Sequence, residues 1–174
     1  SIERVLVTPS PDVLREFQGG WEQVPRCGQG PVEPWLRSFV ITGRFITCSD
    51  GSSDALPEFV RTGDVLFRGG ALRMEMGTNM EGLLTWTAES GETALFKRFV
   101  LPSIDAVQQF QGAWPVRKGG RMVPNCCLRI RGRMWQFDED GGFLTEQNGR
   151  VMLNGWKLAL ERGPHGDLVM NLSR

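Results

Sequence analysis

The sequence contains no tyrosine and a single histidine, His165. The second absence removes nearly every side chain that titrates near neutral pH, on which general acid-base catalysis usually relies. Lysine is scarce as well, with Lys97, Lys118 and Lys157 alone against 17 arginines. Excess charge of either sign is missing: 20 Lys+Arg face 20 Asp+Glu, which speaks against a nucleic-acid binder working through bulk positive charge. No apolar run approaches the roughly 20 residues that span a bilayer, so no transmembrane segment is expected, while peripheral membrane contact stays open. Cys27, Cys48, Cys126 and Cys127 are too few for a disulfide-stapled miniprotein and lack the paired spacing of a zinc knuckle, so no metal is expected. Cys126 and Cys127 cannot easily bridge each other, because consecutive Cα atoms lie about 3.8 Å apart whereas a relaxed disulfide spans roughly 5.5 Å. Free buried thiols are the expectation, with a Cys27–Cys48 bridge as the alternative in an oxidising compartment. The chain opens on Ser1 without a basic-then-apolar leader, so a targeting segment removed beforehand, and with it an organellar location, is a further expectation.

What remains has the makeup of a globular protein, 40% hydrophobic and 23% charged. With 22 glycines and 10 prolines it favours many short strands over a helical bundle. The strongest organising signal is an internal repeat. Asp12-Val13-Leu14-Arg15-Glu16-Phe17-Gln18-Gly19-Gly20-Trp21 is answered 93 residues later by Asp105-Ala106-Val107-Gln108-Gln109-Phe110-Gln111-Gly112-Ala113-Trp114. Each copy then carries Val-Pro-x-Cys and a later Ile-x-Gly-Arg, at Ile41 to Arg44 and Ile130 to Arg133. Spacings between these landmarks differ, as expected of a duplication whose loops have been resized.

Each copy opens with helix-start chemistry, Ser10-Pro11-Asp12 and Ser103-Ile104-Asp105, and the helix stops at Gly19 or Gly112. The pattern then alternates: Leu72, Met74 and Met76 against Arg73 and Glu75, and Trp156, Leu158 and Leu160 against Lys157 and Glu161. Turn signals such as Arg68-Gly69-Gly70 and Gln147-Asn148-Gly149 separate the strands. These features predict an all-β protein of two homologous antiparallel meander or barrel-like modules, each opened by a short helix, at residues 1–101 and 102–174. About five strands per module are expected, as two small sheets in preference to one closed body.

The Phe-Gln-Gly-x-Trp elements, with Phe17, Gly19 and Trp21 in one copy and Phe110, Gly112 and Trp114 in the other, resemble the opening of lipocalin-type barrels. That resemblance implies a tryptophan closing the narrow end of a barrel, with an arginine of the last strand lying across it: Arg98 over Trp21 and Arg174 over Trp114. Two such elements in 174 residues leave neither half the length of a full eight-stranded barrel. The chain is also loosely similar to tandem Trp- and Gly-rich modules of predicted dinoflagellate proteins. This similarity implies a repeat scaffold and permits an accessory role on a plastid photosystem or similar complex.

Catalytic constellations are poorly supported. His165 lies in a hairpin-tip sequence, no thiol has a neighbouring base, and Asp138-Glu139-Asp140 lacks the bidentate glutamate of a calcium loop. Asp50 to Asp54 forms another acidic loop. The sharpest electrostatic feature is a surplus of seven positive charges between Ala94 and Phe137. Within it, Arg129, Arg131 and Arg133 would project from one side of a strand and could grip an acidic protein surface or phosphates, or else form a solvated face paired with Asp138 to Asp140. Trp35 and Leu36 follow a proline-bounded loop that the second copy lacks, which makes them candidates either for partner contact or for folding back over their own sheet. The functional expectation is therefore a non-catalytic, protein-binding scaffold or accessory subunit without cofactor, docking through Arg129, Arg131, Arg133, Trp35 and Leu36. The alternative is a lipocalin-like carrier of a small apolar ligand or pigment, its pocket lined by methionines.

Overall fold

The computed structural model describes residues 6–7, 14–24, 37–56, 59–60, 64–76 and 82–174. The protein is all-β and divides into two compact units, Ser1–Phe99 and Val100–Arg174, each with its own sheet and its own apolar core. Its strands are short because glycine-bearing turns punctuate the sequence every few residues.

In the first unit the strands are β1 (Leu6–Val7), β2 (Gly19–Gln23), β3 (Ser38–Thr42), β4 (Phe45–Cys48), β5 (Ser53–Ala55), β6 (Phe59–Val60), β7 (Val65–Phe67), β8 (Gly70–Met76), β9 (Gly82–Ala88) and β10 (Thr93–Phe99). They lie in the order β1-β6-β7-β8-β9-β10-β2-β3-β4-β5. All their pairings are antiparallel, including that of β10 with β2. Strand directions alternate along this order, so β5 and β6, which follow each other in the chain, run the same way and are counted together as one stave, with Leu56 fully buried after β5. Counting them once leaves eight staves in the meander β2 to β10, with the last returning to the first. The expected count of about five strands per module is corrected by this topology. The three exposed residues of β5, and strands of two or three residues, carry no alternating pattern from which they could be read.

The second unit begins with α1 (Ile104–Gln108), capped by the Ser103 hydroxyl, which accepts from the Ala106 amide at 3.1 Å. Its strands are β11 (Gly112–Lys118), β12 (Arg121–Arg131), β13 (Met134–Phe137), β14 (Asp140–Phe143), β15 (Thr145–Gln147), β16 (Arg150–Leu153), β17 (Trp156–Arg162) and β18 (Leu168–Ser173), in the order β14-β13-β12-β11-β18-β17-β16-β15. Here β14 and β15 are joined only by the fully buried Leu144 and again form one bent stave, so the meander has seven. An odd number of alternating staves brings the first and last together pointing the same way. The seam is indeed parallel, with Val116 opposite Met170 and Lys118 opposite Leu172, whereas the eight-stave unit closes antiparallel.

The repeat extends to individual hydrogen bonds. Gln18 donates from Nε2 to the carbonyl of Gly43 at 2.8 Å and accepts the Gly43 amide at Oε1 at 2.7 Å. Gln111 makes the same two bonds to Gly132 at the same distances. Both glycines have φ of +60° at the first central position of a two-residue hairpin turn, which glycine enters without steric cost. Each glutamine thus ties the end of the opening segment to a hairpin more than twenty residues away. In the first copy the described part of that opening segment is the helical Leu14 followed by a 3-10 turn, Arg15–Phe17, and Ser10 to Asp12 lie outside the described residues.

Candidate functional site

The opening segments lead into the two motif tryptophans. Trp21 is fully buried and donates from Nε1 to the Phe17 carbonyl at 2.9 Å. Because β10 pairs with β2 in the register that sets Arg98 opposite Trp21, the guanidinium lies 4.2 Å from the indole centroid. Its edges donate to two backbone carbonyls, Nη1 to Gln18 at 2.6 Å and Nη2 to Glu16. A planar fork is needed to stack and donate at the same time. Burial pulls the Arg98 guanidinium below its ordinary value, opposed by the charge of Glu16. Gly19 has φ of +110°, and a Cβ there would meet Arg98 Nη1 at 3.3 Å, so the close approach requires glycine.

Trp114 donates to the Phe110 carbonyl at 2.8 Å, which repeats the first copy. The arginine expected over it lies elsewhere: Arg174 stacks 4.6 Å from the centroid of Trp156, and Lys118 lies 4.7 Å from that same ring. The parallel seam is the reason, since β18 runs away from the α1 end and carries Arg174 beyond Lys118. Trp114 is consequently only partly buried.

The basic row is also reduced. Arg129 and Arg131 alternate with the buried Leu128 and Ile130 on β12 and project outward, beside Ala113 on one neighbouring strand and Gln136 and Met134 on the other. Neither arginine has a hydrogen-bond or ion-pair partner for its side chain among the described residues. Arg133 does not extend the row. Gly132 turns the chain, the strand ends at Arg131, and Arg133 Nε donates to the Pro102 carbonyl at 2.7 Å. Trp35, Leu36 and Cys27 lie outside the described residues.

The described thiols, Cys48, Cys126 and Cys127, are all free. Cys48 is free and fully buried, and burial pushes it up to about 11 despite the opposing field of Arg68 and the hydrogen bond from Ser52. Cys126 donates from Sγ to Asp138 Oδ2 at 3.4 Å, and Cys127 is exposed. His165 sits exposed between β17 and β18. The described residues hold no group of three metal-ligating side chains, and none of their helices is long and apolar enough to cross a membrane.

One feature of the first unit carries no signal in the sequence: a cavity of about 900 Å³ on the outward side of β7, β8 and β9. It is bordered by Arg73, which grips Asp64 with two bonds of 2.9 Å, by Arg68, which holds Asp54 at 3.0 Å, and by Thr85 and Thr87. Its residues come from strands and turns far apart in sequence. The interiors of the sheets, by contrast, are filled with side chains: Trp21, Phe39, Ile46, Leu84 and Phe96 in the first unit and Val116, Leu128, Leu144 and Met170 in the second have at most marginal exposure.

Comparisons with protein-family models, with curated proteins and with solved structures gave no match.

Proposed function

We propose that the protein is a non-catalytic interaction scaffold, an accessory subunit that docks an acidic protein surface through the outward face of β12. The observation that carries this reading is the pair Arg129 and Arg131, two outward-facing guanidinium groups without side-chain partners among the described residues. Several other arginines are tied down, Arg73 on Asp64, Arg68 on Asp54, Arg98 on two carbonyls and Arg133 on one, and Arg129 and Arg131 stand out as two such free groups side by side on one strand face. Free arginine forks suit carboxylates of a partner, which they engage in bidentate fashion. The packed interiors support docking over carriage of an apolar ligand, since a carrier barrel keeps internal space for its cargo.

The test is native sedimentation of the tagged chain from its source cells, comparing the wild type with the double variant Arg129→Glu/Arg131→Glu. The wild type should move within a larger assembly that dissociates as salt is raised. The variant should sediment as the free chain with an unchanged circular-dichroism spectrum. Co-sedimentation of the folded variant with the assembly would reject this docking face.

A further inference from the structure

The duplication provides an internal comparison for a site that one copy fills and the other leaves uncovered. In the first unit the Trp21 indole and the carbonyls of Glu16 and Gln18 form a seat for the Arg98 guanidinium. Every part of that seat has a counterpart 93 residues on, in Trp114, Gln109 and Gln111. The supporting geometry is repeated too: the indole is fixed by Phe110, Gln111 clamps Gly132, and Gly112 has φ of +122° where Gly19 has +110°.

Only the closing strand differs. Arg98 stands directly opposite Trp21 on β10. Along the parallel seam the pairing begins at Val116 opposite Met170, and extending that register two residues back on both strands would set Leu168 next to Trp114. Leu168 is one of the exposed large apolar residues, at 40%. Among the described residues no cation stacks on Trp114, and no side chain donates to the carbonyls of Gln109 or Gln111.

We propose that this second seat receives the guanidinium of an arginine presented by a partner polypeptide. The chemistry is the one the first copy displays: the plane stacks on the indole while the edges donate to two carbonyls. A compact ammonium can do one of these but not both in the same pose. The residue paired with Trp114 on β12 is the apolar Leu128, so the chemistry offered to the guanidinium is stacking and the two carbonyls. The inference does not depend on the Arg129 and Arg131 docking face.

The experiment follows the indole resonances of the full chain labelled with 15N-tryptophan, titrated with the peptide acetyl-Gly-Arg-Gly-amide and, separately, with its lysine equivalent and with agmatine. The Trp114 resonance should move with the arginine peptide and Trp21 should not, and the lysine peptide should bind about tenfold more weakly, the scale of one lost charge-assisted hydrogen bond. Agmatine should be weaker than the arginine peptide if a polypeptide is the natural source. Leu168→Arg, which places a guanidinium at the start of the strand that closes against β11, should abolish the response, shield Trp114 from acrylamide quenching and raise the melting temperature by several degrees. Trp114→Phe should lose the response and keep the fold. Equal movement with arginine and lysine peptides, an equal response of Trp21, or a surviving response in Leu168→Arg would overturn the proposal. Tighter binding of agmatine, or movement of the Trp114 resonance with chain concentration alone, would overturn the assignment to a partner polypeptide.

Discussion

Replacing Arg98 by alanine is the perturbation that most directly probes the closure of the first unit. The side chain stacks at 4.2 Å on Trp21 and donates to the carbonyls of Gln18 and Glu16. A part-exposed stack of this kind contributes about 1 kcal/mol. Each charge-assisted bond adds about 1 kcal/mol after discounting for solvent, which competes for the carbonyls once the guanidinium is gone. The total, roughly 2 to 3 kcal/mol, corresponds to a fall of about 10 to 20 °C in melting temperature for a unit of this size. Thermal denaturation of the full chain followed by tryptophan emission measures it, and Trp21, buried in the native fold, should show a red-shifted, quenchable component in the variant. Arg98→Lys should recover part of the loss, since an ammonium keeps the stacking but not both bonds. Arg174→Ala, which removes an exposed stack without such bonds, should cost far less. If Arg98→Ala melts within about a degree of the wild type, the arginine decorates the closure without holding it, and a stabilising role for the stack and its two bonds is refuted.

The two glutamine clamps should be equivalent in solution: Gln18→Ala and Gln111→Ala each lose two bonds to a hairpin turn and should each cost about 1 to 2 kcal/mol in urea denaturation. Gly20→Ala, whose Cβ meets the Phe99 ring at 2.6 Å, and Gly43→Ser, which has open space but forces a side chain into φ of +60°, should each lower the melting temperature, as differential scanning calorimetry would show. Cys48 keeps its proton up to about 11 when folded but has an ordinary thiol value when unfolded, so its contribution to stability is complete below about pH 9 and declines as pH rises toward 11. Urea titrations across that range should show the decline, and Cys48→Ala should flatten it. For the same reason, a thiol reagent at pH 8 should label Cys127 rapidly and Cys48 only after unfolding.

The β class, the duplication and the motif tryptophans are legible in the sequence, because each rests on local chemistry: alternation, glycine turns and a repeated segment. Arg98 can be nominated as a cover for Trp21 only through the resemblance to lipocalin openings, which implies a last-strand arginine lying across the tryptophan. Strand number is not legible in this way. The sequence Asp140-Gly141-Gly142 looks like a turn and is a strand, and Ser53 to Ala55 has no apolar residue facing inward to mark it. Arg174 covers Trp156 in place of Trp114 because the direction of a closing strand depends on whether the stave count is even or odd, which is a global property. Arg133 belongs with the turn that Gly132 makes, and the same Gly-Arg step in the first copy holds the clue. The partners of Gln18 and Gln111 lie 25 and 21 residues away, so no spacing within the motif announces them. The outer cavity draws on four strands and the turns between them, and no contiguous pattern encodes it.

Stave parity also decides where chain ends emerge. In the first unit the chain enters β2 and leaves β10 at the same pole, so the link to the next unit starts beside the place where the first meander began. In the second, the parallel seam sends β18 toward the opposite pole, away from α1 and Trp114. Any polypeptide fused after Arg174 would therefore depart from the rim of the second unit opposite α1.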